Sequence, residues 1–152
     1  MSLVKAIRLT TADESTIDFI VTNLIDDVVA NPDRNHLRKL LADERTYILA
    51  ATINEVVIGY ALAYRFPSLY ASGNLAYLYD IGVLETHRRK GAGRLLIETL
   101  IYHLKADNVH ELWLGTAVDN VEGQALFSGT GGIKSGEAFN DFTYHLQEGS
   151  AI

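Results

Sequence analysis

The stretch Asn74 to Ile97, NLAYLYDIGVLETHRRKGAGRLLI, decides the fold. Leu75 to Val83 is rich in Tyr, Leu, Ile and Val and has the composition of a strand. The pattern breaks over Leu84 to His87, passes the basic knot Arg88, Arg89, Lys90, and enters Gly91-Ala92-Gly93 followed by a helical periodicity through Leu104. Strand, glycine turn and helix in that order present backbone N–H groups to an anion, because the first turn of a helix has N–H groups without internal partners and carries partial positive charge. Arg88, Arg89, Lys90 and Arg94 crowd the same end, where cations are unfavourable for an isolated helix. The stretch therefore predicts an anionic ligand, against the plainer reading of a solvated basic loop.

Two familiar phosphate motifs do not fit. A dinucleotide fingerprint needs a third glycine where this chain has Leu96, and a P-loop needs Gly-Lys-Ser/Thr after four spacer residues. Working outward, 152 residues predict one domain spanning 1–152, and a hydrophobic fraction of 48% supplies a substantial core. The chain has no cysteine, hence no disulfide framework, thiolate metal site or cysteine nucleophile, which fits a reducing cytoplasm. The start, MSLVKAIRLT, lacks the apolar core of a signal peptide, and the longest apolar run, Val56 to Tyr64, is too short to span a bilayer. Four of the thirteen basic residues lie between Arg88 and Arg94 on a chain of net charge −6. A concentrated positive site on an acidic body suits an anionic cofactor with a cationic substrate, and argues against nucleic acid, which needs a broad basic face. The five histidines show no metal-ligand spacing, so no metal is expected.

Along the chain, Val4 to Leu9 predicts a strand and Thr11-x-x-Glu14 a capping box. A helix follows with Ile17, Ile20, Val21, Leu24, Ile25 and Val28 on one stripe, its end marked by Asn31-Pro32. Asp26 and Asp27 near that end oppose the helix dipole, so they are candidates for a cationic substrate if not simply solvated. Asp33 to Ala42 predicts a second helix, and Thr46 to Thr52 with Val56 to Phe66 a hairpin turning at Ile53-Asn54-Glu55, with a bulge near Gly59. After the central strand and helix come a strand over His110 to Thr116, a cap at Asp119-Asn120 with a short helix to about Ser128, and a final strand over Ala138 to Leu146. The order β, α, α, β, β, β, α, β, α, β is α+β with a mixed sheet.

Arg88-x-x-Gly91-x-Gly93, after a strand ending Ile81-Gly82-Val83 and opening a helix, resembles the pyrophosphate loop of the GCN5-related N-acetyltransferases (GNAT), which move acetyl from acetyl-CoA to amines. The order of elements matches that family's as well. Tyr77 to Val83 with His87-Arg88-Arg89-x-Gly91 resembles the type I aminoglycoside 3-N-acetyltransferase subgroup, as do Asp119-Asn120, Ala125-Leu126-Phe127, Gly131-Gly132 and Phe142 to Leu146. The resemblance implies a GNAT-like fold, a central mixed β-sheet flanked by helices, in which Tyr77 to Val83 and His110 to Gly115 splay into a slot for acetyl-CoA. It implies backbone contacts to the cofactor arm around Ile81, Gly82 and Val83. It implies pyrophosphate contacts from Arg88, Arg89, Lys90, Gly91, Ala92, Gly93 and Arg94, and a side-chain bond from Asn120. A homodimer is compatible with it.

Acyl transfer to a lysine-like amine, with a pKa of about 10.4, benefits from a base. Asp80 is the candidate, because a carboxylate flanked by Tyr79 and Ile81 in an apolar strand is costly without partners; the plainer alternative is a structural aspartate. Tyr77 and Tyr79 share one strand face, Tyr77 toward substrate and Tyr79 as a catalytic candidate, and Asp141 joins Asp26 and Asp27 as acidic candidates for ammonium groups. Many family members carry a tyrosine that protonates the CoA thiolate where this chain has Phe127. Tyr79, Tyr144 or water are the alternatives. The expected activity is acetyl transfer to a small cationic amine, aminoglycoside-like first, with a polyamine or a protein amine as the rival substrate and a CoA-binding sensor as the rival class.

Overall fold

The structure, a computed structural model, describes residues 3–25 and 32–147. A five-stranded sheet in the order β1-β2-β3-β4-β5 is built from β1 (Val4–Arg8), β2 (Thr46–Ile53), β3 (Val56–Pro67), β4 (Asn74–Val83) and β5 (Val109–Trp113). All pairs are antiparallel except β4 with β5, which is parallel. The connection between those two strands carries α3 (Ala92–Ala106), as a parallel crossover requires. The other helices are α1 (Glu14–Asn23), α2 (Arg34–Ala42) and α4 (Val121–Gly129). This is the α+β mixed sheet that the sequence predicts. Among the described residues no helix is long and apolar enough to cross a membrane.

Alternation in β2 to β4 feeds two cores, one on each face. Tyr47, Leu49, Ala61, Ala63, Ala76 and Leu78 pack with Leu96, Leu100 and Leu104 of α3. Ile48, Ala50 and Tyr60 pack on the opposite face with Ile17, Ile20 and Leu37 of α1 and α2. The apolar stripes of α1 and α3 recur every three or four residues, so each helix buries one side against the sheet.

Local chemistry differs from expectation at three points. Asp13, not Thr11, is the N-cap of α1; its carboxylate accepts from Thr10 N at 2.7 Å, so the Thr11 capping box does not form. The α1 helix ends at Asn23, before the predicted Leu24, Ile25 and Val28, the last of which lies outside the described residues. Most consequentially, Ala138 to Leu146 forms no strand: the stretch after α4 is irregular and exposed, with Phe139, Phe142, Tyr144 and Leu146 at 76%, 85%, 84% and 91%. The stretch pairs with none of the described strands, although the outer edge of β5 is free, and a strand exists only through its partner.

The hairpin between β2 and β3 turns on Asn54 and Glu55, both with positive φ (49° and 66°), the two-residue geometry that matches strand twist. Ala51 pairs with Gly59 but Thr52 with Val57, leaving Ile58 as a bulged residue beside the predicted Gly59.

Candidate functional site

Strand β4 changes character along its length. Its first half is paired on both sides, with β3 and with β5, and the pairing with β5 ends at Tyr77↔Trp113. From Leu78 to Val83 it keeps β3 and has no partner strand on the other edge among the described residues. The two strands therefore part where the resemblance places the slot, and the open edge offers backbone N–H and C=O groups to an extended amide ligand.

A second bulge sits at the mouth of this slot. Leu78 pairs with Ala63 and Asp80 with Leu62, leaving Tyr79 as the extra residue. Strict alternation from Ala76 and Leu78 would aim Asp80 into the α3 core. The bulge instead puts Tyr77, Tyr79 and Asp80 on the face opposite α3, while Ile81 and Val83 pack toward α3. Tyr60, buried in β3, donates its hydroxyl to Asp80 Oδ2 at 2.5 Å. Burial first, and then the Asp80 hydrogen bond and charge, push the Tyr60 pKa well above its usual value, so Tyr60 stays a proton donor toward Asp80. Gly82 lies under the same ring: a Cβ there would meet Tyr60 Cε1 at 2.9 Å.

Beyond β4, a 3-10 turn over Glu85–His87 leads into the basic loop. Arg89 (φ 63°) and Gly91 (φ 85°) are both left-handed, a curl of the kind that turns successive N–H groups to one concave side just before α3 begins. No side chain caps α3. The first N–H groups of α3, on Ala92, Gly93 and Arg94, have no intrahelical acceptor and can bind an anion.

The four cations divide. Arg89 and Lys90 have no hydrogen-bond or ion-pair partner among the described residues. Arg88 Nε donates to Val83 O at 3.2 Å, and its guanidinium lies 3.8 Å from Glu122. Arg94 Nη2 donates to Gly129 O at 2.8 Å, at the end of α4, and Nη1 to Glu98 at 3.4 Å. Arg94 thus works as a strut between α3 and α4. Gly93 serves the same junction, since a Cβ there would come within 3.0 Å of Leu126, whereas Gly91 has open space around it and is required by its φ alone. A groove of about 380 Å³ takes in Lys90, Gly91 and Arg94, but its other wall is Leu3, Val4 and Ile53, on the far side from the slot.

Other candidates fall elsewhere. The predicted Asn120 cap forms: Oδ1 accepts from Gly123 N at 3.0 Å and Nδ2 donates to Thr116 at 2.9 Å. Asp141 sits in the exposed irregular stretch with no hydrogen bond or ion pair to any described residue. Asp26 and Asp27 lie outside the described residues. Phe127 packs against the core between α3 and the sheet, and Tyr144 is 84% exposed. Sequence reading did not single out Tyr60, because a tyrosine within an apolar strand run carries no motif; only the β3–β4 register brings it to Asp80.

The family model described as acetyltransferase (GNAT) family matches residues 14–131. No curated protein gives a significant match. Among solved structures, the chain is similar to the aminoglycoside acetyltransferase meta-AAC0020 from an uncultured soil metagenomic sample, solved in complex with sisomicin, at TM-score 0.79 and 22% identity over 95% of this chain and 97% of that one. It is similar to AAC(6')-Iy, solved with the bisubstrate analogue CoA-S-monomethyl-acetylneamine, at TM-score 0.75 and 18% identity over 95% and 100%. The ribosomal-protein-alanine N-acetyltransferase of Brucella melitensis biovar Abortus 2308 gives TM-score 0.73 and 18% identity over 94% and 100%. At these identities the likeness is one of fold.

Proposed function

The chain belongs to the acetyltransferase (GNAT) family, an N-acetyltransferase with acetyl-CoA as donor, and from that premise we propose that its acceptor is the amine of a small cationic molecule, aminoglycoside-like first. The observation that carries this reading is the open half of β4, with the α3 N-terminus beyond its end and the Tyr60-bonded Asp80 on its outward face. The residues present fit the donor. Curled backbone at Arg89 and Gly91, the free N–H groups of α3 and the unpartnered Arg89 and Lys90 suit a pyrophosphate, and the free edge from Ile81 through Gly82 to Val83 suits an amide-bearing arm. Arg88 joins them by turning from Val83 O and Glu122, while Ala92 and Gly93 act through backbone. Arg94 and Asn120 contribute chiefly by holding α4 in place.

In this reading Asp80 draws the ammonium to the slot and takes its proton, directly or through one water, so that nitrogen can attack the acetyl carbonyl. Tyr60 keeps the second carboxylate oxygen in register. The N–C bond would form as the C–S bond breaks, with a backbone N–H near Val83 to hold the developing oxyanion; the thiolate would leave with the electron pair, and the second amine proton would pass to water. Phe127 has no proton to give. A thiol pKa of about 8.5 makes the thiolate a tolerable leaving group, and Tyr79 or water supplies the proton; Tyr144 lies in the exposed stretch. Tyr77 lines the acceptor side.

We read residues 1–152 as one acetyltransferase domain working in the cytoplasm, without nucleic-acid or membrane partners. A second copy of the chain is the partner that fits the outer edge of β5, unpaired among the described residues, and the exposed alternation of Phe142, Tyr144 and Leu146. The test of function is acetyl-CoA-dependent thiol release over a panel of aminoglycosides, polyamines, amino acids and short peptides, with the product mass determined. A mass gain of one acetyl group on an aminoglycoside is the expected result. Acetylation confined to a polyamine or peptide overturns the substrate, and acetyl-CoA binding without turnover on any amine favours a sensor, the reading that Phe127 supports.

A further inference from the structure

Five aromatic rings run in unbroken contact across the face that carries Asp80. Tyr64 meets Tyr79 at 6.2 Å between ring centroids, Tyr79 meets Tyr77 at 6.3 Å, Tyr77 meets Trp113 at 5.2 Å, and Trp113 meets Phe66 at 5.5 Å. They come from three strands, β3, β4 and β5, and share the face opposite α3 because Tyr64 is paired with Tyr77 and Tyr77 with Trp113. Burial alone does not account for them: Tyr79 is 67% exposed, Trp113 41% and Phe66 38%. A contiguous exposed aromatic surface on a folded chain marks a binding face. Here the bulge at Tyr79 adds a second observation, since it forces the ring of residue 79 and the carboxylate of residue 80 to the same side.

We propose that this ladder is the wall against which the acceptor lies, and that the acceptor is an amine whose body is a ring with an apolar face, sugar or aryl, not an extended polyamine. This rests on the acetyltransferase reading above. The reacting nitrogen goes to Asp80, at the end of the ladder next to Tyr79, and the rest of the ligand then runs along Tyr79, Tyr77 and Trp113. Ring faces attract cations and stack on flat apolar faces. A linear polyamine would need carboxylates at intervals matching its ammonium groups; on this face Asp80 and Glu111, which is paired with Leu75 beyond Trp113, stand at opposite ends, and between them the surface is one of rings. Half-buried Tyr64, whose pKa is raised by burial and by Tyr79, stays neutral and backs the Tyr79 ring.

Trp113 is the chain's single tryptophan, so its emission reports on this face alone. The experiment titrates CoA-saturated protein in two comparisons, the charge-matched pair phenethylamine against n-butylamine and the polycationic pair sisomicin against spermine, reading Trp113 fluorescence, while CoA affinity is measured separately by calorimetry. The expected result is a saturable change with at least one ring-bearing amine binding about tenfold tighter than its linear counterpart, equivalent to ~1.4 kcal/mol. Tyr77→Leu is expected to remove that advantage while leaving CoA affinity within about twofold; a ratio retained in that variant counts against the ladder. Preference for sisomicin alone identifies the face as one for sugars, and for phenethylamine alone as one for aryl groups. Equal or tighter binding of the linear amine in both comparisons, or no emission change with any probe, overturns the proposal even where thiol release proceeds. Loss of CoA binding in the unaltered protein would instead overturn the acetyltransferase reading itself.

Discussion

Strands β2 to β4 and the chain beyond Trp113 carry the same kind of alternating sequence and meet opposite fates. In the first region Tyr47, Leu49, Ile58 and Ala63 are completely buried, and each strand has a neighbour for its backbone groups. In the second, Phe139, Phe142, Tyr144 and Leu146 stand exposed past α4, and the outer edge of β5 has no neighbour among the described residues. The difference teaches that alternation specifies which face a strand would bury, while actual pairing with a neighbour decides whether there is a strand at all. The candidate site lies on the border between the two regions, where β4 has lost one partner and kept the other.

The contrast is sharpest in stability. Leu96→Ala, at a fully buried position of α3, is expected to cost about 2–5 kcal/mol by urea denaturation. Phe142→Ala should cost under about 0.5 kcal/mol at low protein concentration. A Phe142 effect as large as that of Leu96 would mean that the segment is packed in solution, and a loss of dimer in sizing experiments on the same variant would identify the second copy as its cover.

Smaller in stability but larger in function is Gly82→Ala, whose Cβ would press on Tyr60 at 2.9 Å. Overpacking there is expected to cost about 1–3 kcal/mol and to lower kcat by displacing Tyr60 from Asp80, with KM for acetyl-CoA less affected. Gly136→Ala, in the exposed stretch with open space around its Cα, should change neither. The smallest expected effect concerns His103. Burial and, secondarily, the charge of Arg8 hold its imidazole below the usual value, against an opposing pull from Asp107. The unfolded chain therefore takes up the proton first, so this residue's contribution falls as pH drops through about 6.5. The urea midpoint of His103→Gln relative to the unaltered protein should rise between pH of about 7.5 and about 5.5; no relative change would remove His103 from the acid response.

Much of this architecture is legible in the residues. The Gly91 turn, the β2–β3 hairpin, the Asn120 cap, the stripe of α3 and the part of the α1 stripe up to Val21 each follow from local rules and appear where those rules place them. The site is legible in part. Asp80 stands out as a carboxylate in an apolar strand, yet its direction depends on the bulge at Tyr79, which arises from pairing with β3 and leaves no mark in the pattern of β4 itself. Gly93 is visible as a special position, but its reason is Leu126, more than thirty residues later on α4, and Arg94 likewise reaches Gly129. The predicted last strand fails on the same ground: its period is right, but it pairs with no described strand.

The most direct test of the central claim compares Asp80→Asn with the unaltered protein in acetyl-CoA-dependent thiol release against the best acceptor of the panel. Asparagine keeps the shape and a hydrogen bond from Tyr60 but cannot take the proton. The account predicts a fall in kcat of about 10²–10⁴ with acetyl-CoA affinity nearly unchanged. An unchanged kcat would contradict it and return Asp80 to a structural role beneath Tyr60.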